Sequence, residues 1–405
     1  MFYTIFVISI AVLSAISFVY YVLNSYSSIR YSSKINPDII DLSKVTIAMP
    51  VYNEKIEVFR ESIDSIMMQG CKFVVVGDSS YEPYKTIVEE RGGLFIHQPV
   101  RSGQKKTIVK SMEYIDTPFL LLMDSDTILP QNAVKSMMSN FTEGVGGVGA
   151  NLSIKPTGTA IAYCQEFIER AREVVFRAMS AHGSVLNLDG ACVMFKTDII
   201  KPFILSPEFA EFKVLGKPTL LGEDWLLTDY LIKNDYKAVK DYNTKVEVYP
   251  PEKFGKFIKQ HSRWARSNWI KFAKELKEGT AMKAGWFYTF ELVYTYLLPI
   301  IALGFGIFRF THFMMIHHTS LQYINLIHDV FLLRHSDAGY ILYTRLALFL
   351  ANIGGTAMFL SSVAYRMRGE RLKTLGYGGL AAVILFVTTI YGLLTFWKGK
   401  KWNTR

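Results

Sequence analysis

Cysteine is scarce in this 405-residue chain. Only Cys71, Cys164 and Cys192 occur; they lie far apart and none forms a CxxC pair. That argues against a disulfide framework or a cysteine-rich zinc site and suits a reducing compartment. Charge is missing from residues 1–23, which read MFYTIFVISIAVLSAISFVYYVL. A basic leader region and a small-residue cleavage site are missing too, so the segment reads as an uncleaved membrane span rather than a signal peptide. There is no internal repeat, no low-complexity tract and no Ser-His or Cys-His constellation for covalent catalysis. The net charge of +10 could suggest nucleic acid. Much of it, however, flanks apolar segments, where lysine and arginine mark the cytoplasmic side of a membrane. No nucleic-acid partner is expected.

Hydrophobic residues make up 50% of the chain, high for a purely soluble protein, and they gather in long runs. Beyond the first span, apolar segments cover about 286–308, 340–363 and 375–397. The stretch between the first two is broken by His312, His317, His318, Asn325, His328 and Asp329 and reads as an external or interfacial loop. Arg30 and Lys34 follow the first span and place the next domain in the cytoplasm.

Residues 45–285 read as globular. Short buried-strand patterns recur as VTIAMPVY from Val45, KFVVVGD from Lys72 and PFLLLMDSD from Pro118, with helical pattern between. The alternation predicts an α/β domain with a mainly parallel sheet. In such sheets ligands bind at the carboxyl ends of the strands. Asn53 and Glu54, Asp78, and Asp124 with Asp126 fall at those ends. Two later stretches are amphipathic, 161–179 and the basic 254–276, and fit either core-facing or interfacial helices. In the first, Glu166, Glu169, Arg170, Glu173 and Arg177 are expected away from the apolar face.

Four motifs carry chemistry. Asp124 and Asp126, two apart at a strand end, can aim two hard oxygen ligands into one cleft, suiting Mg²⁺ or Mn²⁺ bridged to phosphates. Glu223 and Asp224 read as a loop before an apolar helix, where they either cap the helix or supply a general base. Gln260, Arg263 and Trp264 share a helical face on which arginine can neutralise a diphosphate and indole can stack on a sugar. Arg101, Gly103, Lys105 and Lys106 form a basic loop fit for phosphates or for solvent.

In order and spacing, Asp124-Ser-Asp126, Gly222-Glu223-Asp224 and Gln260-His-Ser-Arg263-Trp264 resemble the processive family-2 glycosyltransferases: hyaluronan, chitin and cellulose synthases and the compact type 3 capsule synthase. The resemblance runs from about Val45 to the C-terminus. It implies a cytoplasmic GT-A-type (nucleotide-diphospho-sugar transferase) domain inserted between transmembrane helices. The implied parts are a span at 1–23, the transferase domain at 45–285, a membrane region at 286–397 and a gating-like tail at 398–405. It implies a UDP-sugar donor held by Asp78, Lys105, Asp124, Asp126, Gln260, Arg263 and Trp264. Asp126, with Asp124, would bind Mg²⁺ or Mn²⁺. Asp224, beside Glu223, would be the base, and Trp264 would clamp the growing polysaccharide acceptor. Trp402-Asn403-Thr404-Arg405 looks like the family's gating Trp-Gly-Thr-Arg with Asn for Gly, bringing Trp402 and Arg405 to the donor.

Two segments depart from the family pattern: Leu188-Asp189-Gly190-Ala191-Cys192, which puts a carboxylate at the acceptor site of Asp189 and Gly190, and Gly77-Asp78-Ser79-Ser80. Topology adds a constraint. Arg366, Arg368, Arg371 and Lys373, and then Lys398, Lys400 and Lys401, all stay inside if the segment from Leu375 is interfacial or re-entrant. The expectation is a multi-pass cell-membrane enzyme that polymerises sugar and passes the product through the bilayer. Its rivals are a non-processive transferase loading a membrane lipid and a non-catalytic protein on a dead transferase domain.

Overall fold

Strand β1 (Val45–Val51) alternates its side chains between two apolar layers. Ile47, Met49 and Val51 enter one layer and Ala48 the other. The same alternation in β4 (Phe119–Met123) sends Leu121 and Met123 one way, Leu120 and Leu122 the other. A sheet sandwiched in this way must be covered on both faces, which is why its strands read as continuous apolar runs.

The computed structural model describes residues 2–219, 221–316 and 338–398. Trp402 and Arg405, with His317, His318, Asn325, His328 and Asp329, lie outside the described residues. Besides β1 and β4, the strands are β2 (Lys72–Asp78), β3 (Leu94–Gln98), β5 (Thr127–Ile128), β6 (Val145–Ile154), β7 (Cys192–Lys196), β8 (Lys213–Val214), β9 (Lys217–Pro218) and β10 (Lys237–Val248). Eight form one sheet in the order β3-β2-β1-β4-β7-β6-β10-β5, and β8–β9 is a separate hairpin. The sheet is mixed. β3, β2, β1 and β4 run parallel, β7 runs antiparallel to both β4 and β6, and β10 is parallel to β6. The reversal at β7 is the departure from a mainly parallel sheet. The chain order turns back at β1, which opens a crevice over the ends of β1, β2 and β4.

The helices are α1 (Phe2–Arg30), α2 (Ile56–Met67), α3 (Tyr84–Glu89), α4 (Gln104–Ser111), α5 (Ala133–Ser139), α6 (Ala160–His182), α7 (Thr197–Ile204), α8 (Pro207–Ala210), α9 (Glu223–Lys233), α10 (Phe254–Glu278), α11 (Thr280–Ala284), α12 (Trp286–Ile316), α13 (Ala338–Arg366) and α14 (Arg371–Leu393). Among the described residues, three segments are long and apolar enough to cross a membrane: Ala11–Arg30, Trp286–Phe308 and Arg371–Leu393. The segment expected at 340–363 is helical within α13.

Helix α6 is covered on its charged side as well as its apolar one. Its charged residues do not face water: Glu166, Glu169, Arg170 and Glu173 are buried along with the apolar stripe. The reason is placement. The helix lies between the sheet and helices α1, α13 and α14, so both faces are covered and its charges are met by other charges. Ion pairs join Arg170 to Glu166 and Glu173, and Arg177 to Glu173. Helix α10 buries Phe257, Trp269 and Phe272 and packs along α14.

Candidate active site

The crevice is built from strand ends that the local sequence forces to turn sharply. After β2 a side chain at Gly77 would place its Cβ 2.1 Å from the Ser80 carbonyl oxygen. The chain therefore doubles back there, with Ser79 in the left-handed region at φ 60°. Asp78 then accepts hydrogen bonds from the backbone N–H groups of Ser102 (2.7 Å) and Gly103 (3.0 Å). Both of its oxygens thus hold the loop that leads into α4. The first residue of α4, Gln104, donates from Nε2 to Asp124 at 3.0 Å. Asp78 and Asp124, on strands separated by β1, are coupled through that one loop.

Asp124 and Asp126 are half-buried at the end of β4, and Ser125 between them donates to Glu54 at 3.1 Å. The pair offers oxygen ligands only, and among the described residues no cluster of three His, Cys, Asp or Glu side chains surrounds them. Two carboxylates without a protein cage fit Mg²⁺ or Mn²⁺, which keep waters and phosphate oxygens as further ligands. The groups present thus fit the metal.

Glu223 and Asp224 begin α9. Gly222 before them sits at φ 93°, and a Cβ there would lie 2.3 Å from Trp225 Nε1. Glycine therefore lets the helix start against the buried Trp225 indole, which donates to Ser267 of α10 at 2.9 Å. Asp224 accepts from its own helix at Trp225 N (2.8 Å) and from Asn187 Nδ2 (2.7 Å). It faces Gly190, whose missing side chain leaves a small cavity of about 20 Å³ bounded also by Gln104, Asp124 and Glu223.

Burial and the neighbouring Asp224 push Glu223 up to about 7, against the pull of Lys105 and Arg263. Burial also pulls Lys105 down to about 8, opposed by Glu223 and Asp224. Its Nζ lies over the Phe212 ring at 5.1 Å and 3.4 Å from the Thr219 carbonyl. Because the folded protein holds the Glu223 proton more tightly than the unfolded chain does, the associated stability falls as pH rises from about 4.5 through about 7. Glu223→Gln is neutral throughout and removes this loss. The unfolding midpoint of the wild type is expected to drop relative to the variant between about pH 5 and pH 8, read by thermal unfolding in detergent. Parallel midpoints across that range would show that Glu223 is not held neutral.

On α10, Gln260 and His261 each carry a buried polar atom, Oε1 and Nε2, without a hydrogen-bond partner among the described residues. Trp264 meets the His261 ring edge-on at 5.0 Å. Burial and Arg172 together pull His261 down to about 4. Arg263 lies close enough to Glu223 to act on its charge.

The structure thus brings Lys105, Glu223, Asp224 and Arg263 together, with Asp124 and Gly190 on the same cavity. Asp189, expected as an acceptor-binding carboxylate, has protein partners of its own. It is buried and ion-paired to Arg172 of α6 and Lys240 of β10, and their charges hold it below the usual carboxylate range despite burial. Of the segment expected as a basic loop, Lys105 and Lys106 lie in the first turn of α4, where Lys106 is exposed, and the Arg101 guanidinium before it lies 3.9 Å over the Tyr52 ring. Sequence reasoning missed Asn187, Gln104 and Arg172. Each acts through a partner distant in sequence, and no local motif marks it.

The family model "Glycosyltransferase like family 2" matches residues 93–267. An N-acetylglucosaminyltransferase of Azorhizobium caulinodans is 25% identical over 268 residues, 62% of this chain and 66% of that protein. The hyaluronan synthase of Streptococcus pyogenes is 24% identical over 283 residues, 64% of this chain and 65% of that protein. The matched part therefore spans just under two thirds of these relatives. A mannosyltransferase of Pyrobaculum calidifontis, solved with GDP-Man and Mn²⁺, has the same fold, with a TM-score of 0.60 at 14% identity over 98% of this chain and 99% of that one. The family match runs across α4, the Asp124–Asp126 pair, Asp224 and the whole Gln260–Trp264 motif, and on that ground the chain is an enzyme that carries a glycosyltransferase family 2 domain.

Proposed function

We propose that this enzyme is a membrane-embedded, inverting transferase. It polymerises sugar from UDP-sugar donors into a polysaccharide at the cytoplasmic face and passes the product through its own helices. The observation that carries the proposal is the convergence of Asp224, Glu223, Lys105 and Arg263, the last from α10, which packs along the apolar, membrane-length α14. A polar polymer cannot cross lipid unaided, and a transferase seated on such helices has a protein-lined route at hand.

In this reading Asp224 accepts the proton of the acceptor hydroxyl as its oxygen attacks the anomeric carbon. The bond from that carbon to the diphosphate oxygen breaks on the opposite face, and UDP leaves. Lys105 and Arg263 stabilise the negative charge gathering on the departing diphosphate. Trp264 offers its indole face to the acceptor sugar, so part of the rate comes from positioning. Asp126 and Asp124 would hold a divalent cation, which when bound neutralises diphosphate charge. Mn²⁺ in the mannosyltransferase of like fold supports that assignment. Arg30 and Lys34 after the first span support a cytoplasmic site.

The test is UDP release by the full-length protein with Mn²⁺ or Mg²⁺, against UDP-sugars singly and in pairs, with products sized on a gel. Metal-dependent release with a long product is expected. A short or lipid-linked product would overturn polymerisation, and no release from any donor would overturn the UDP-sugar reading. Asp126→Asn is expected to weaken Mn²⁺-dependent UDP binding by about tenfold or more, the scale of one lost charged ligand. Unchanged binding would remove Asp126 from the metal site.

A further inference from the structure

The loop between α6 and β7 is fastened more firmly than an ordinary connection requires. Leu188 N donates to Thr228 Oγ1 at 3.2 Å, and that hydroxyl donates to the Asp224 carbonyl at 3.0 Å. Asp189, left-handed at φ 59°, is gripped by Arg172 and Lys240. The Ala191 carbonyl accepts the amide of Asp124 at 3.0 Å. One loop therefore ties the helix that carries the base to the strand end that carries the acidic pair.

In the middle of this loop stands Asn187. Its Nδ2 donates to Asp224 Oδ2 at 2.7 Å. A carboxylate only accepts, so this contact fixes which end of the amide is nitrogen. The other end, Oδ1, is buried and has no hydrogen-bond partner among the described residues. A buried acceptor atom left unpaired is unfavourable, and here it lies on the residue that touches the proposed base.

We infer that Asn187 is an acceptor-binding residue that also orients the base: Nδ2 holds Asp224 while Oδ1 takes a hydrogen bond from a second donor on the acceptor sugar, a hydroxyl or amide N–H beside the attacking hydroxyl. Asp189 is then a positioning residue, setting the loop through Arg172 and Lys240. The inference rests on the transferase reading above and adds the acceptor subsite to it.

The experiment uses the full-length protein in detergent with the UDP-sugar that gives UDP release in the wild type. It compares Asn187→Ala, the isosteric Asn187→Asp, and Asn187→Ala combined with Asp224→Asn. Asn187→Ala is expected to lower kcat by about tenfold to a hundredfold and to shorten the product, with donor KM and UDP–Mn²⁺ affinity within about twofold of wild type. Asn187→Asp, equal in shape but unable to donate to Asp224, is expected to lose a similar factor. In the Asp224→Asn background, Asn187→Ala is expected to add little, because the two act as a unit. Either single variant keeping wild-type kcat and product length would overturn the inference alone. Failure of the wild type to release UDP from any donor, or to bind UDP with Mn²⁺, would overturn the transferase reading and the inference with it.

Discussion

Asp224→Asn is expected to lower sugar transfer by about 10²- to 10⁴-fold, the range of a lost general base, while UDP–Mn²⁺ affinity stays within about threefold. The substitution keeps the shape of the side chain and removes its capacity to take a proton. Asp224 is the better candidate than Glu223 for a geometric reason. Two donors, Trp225 N and Asn187 Nδ2, fix its orientation, and it fronts the cavity that Gly190 leaves open. Glu223 instead lies among the cations, Lys105 and Arg263, and is held near 7 by burial and by Asp224. That surrounding suits a group balancing charge on the diphosphate side. Glu223→Gln should therefore cost less activity than Asp224→Asn. The measurement is the initial rate of UDP release for both variants under saturating donor. A larger loss in Glu223→Gln, or more than a tenth of wild-type rate in Asp224→Asn, would exchange the two roles.

Much of this site was legible in the sequence because its residues sit where short-range rules put them. Apolar runs ending in Asp78 and in Asp124-Ser-Asp126 predicted strand ends, and the structure has β2 and β4 ending there. The apolar helix expected after Glu223 and Asp224 is present, but the two residues form its first turn and not the loop before it, since α9 begins at Glu223. The sheet was harder to read. β7 is a short apolar run whose direction follows from what it pairs with, not from its own residues, so its antiparallel course left no local signal. The cover over the charged side of α6 was unreadable for a related reason. Periodicity separates apolar from charged residues, but it does not say what covers the charged side. Asp189 was legible as an unusual carboxylate, yet its partners Arg172 and Lys240 lie 17 and 51 residues away. Nothing in the sequence joins them.

The buried charges of α6 carry the largest expected effect on stability. Arg170 is fully buried and ion-paired to Glu166 and Glu173, and it donates to the Leu152 carbonyl of β6. Glu173 also lies near Arg177, Lys245 and Arg366. Arg366, at the end of α13, in turn donates to the Ser28 hydroxyl of α1 at 2.7 Å. The cluster thus joins the sheet to the long helices α1 and α13. Burial alone would raise the Glu173 carboxyl, but Arg170, Lys245 and Arg177 outweigh it and hold Glu173 below its usual range. Its charge is therefore retained only while those cations stay in place. Arg170→Met fills similar volume and leaves Glu166 and Glu173 buried with less compensation. Breaking one partner of a buried pair costs about 3–5 kcal/mol, and the unfolding midpoint in detergent is expected to fall by on the order of 10 °C. Arg170→Lys should recover only part of the loss, because an ammonium does not reproduce the planar fork that serves two carboxylates and a carbonyl together. Arg170→Met combined with Glu173→Gln should be less destabilised than the two single losses summed, since the second change removes a charge that the first leaves poorly paired. A midpoint for Arg170→Met within about 2 °C of wild type would mean that the remaining cations of the cluster suffice, and that Arg170 does not hold the sheet to helices α1 and α13.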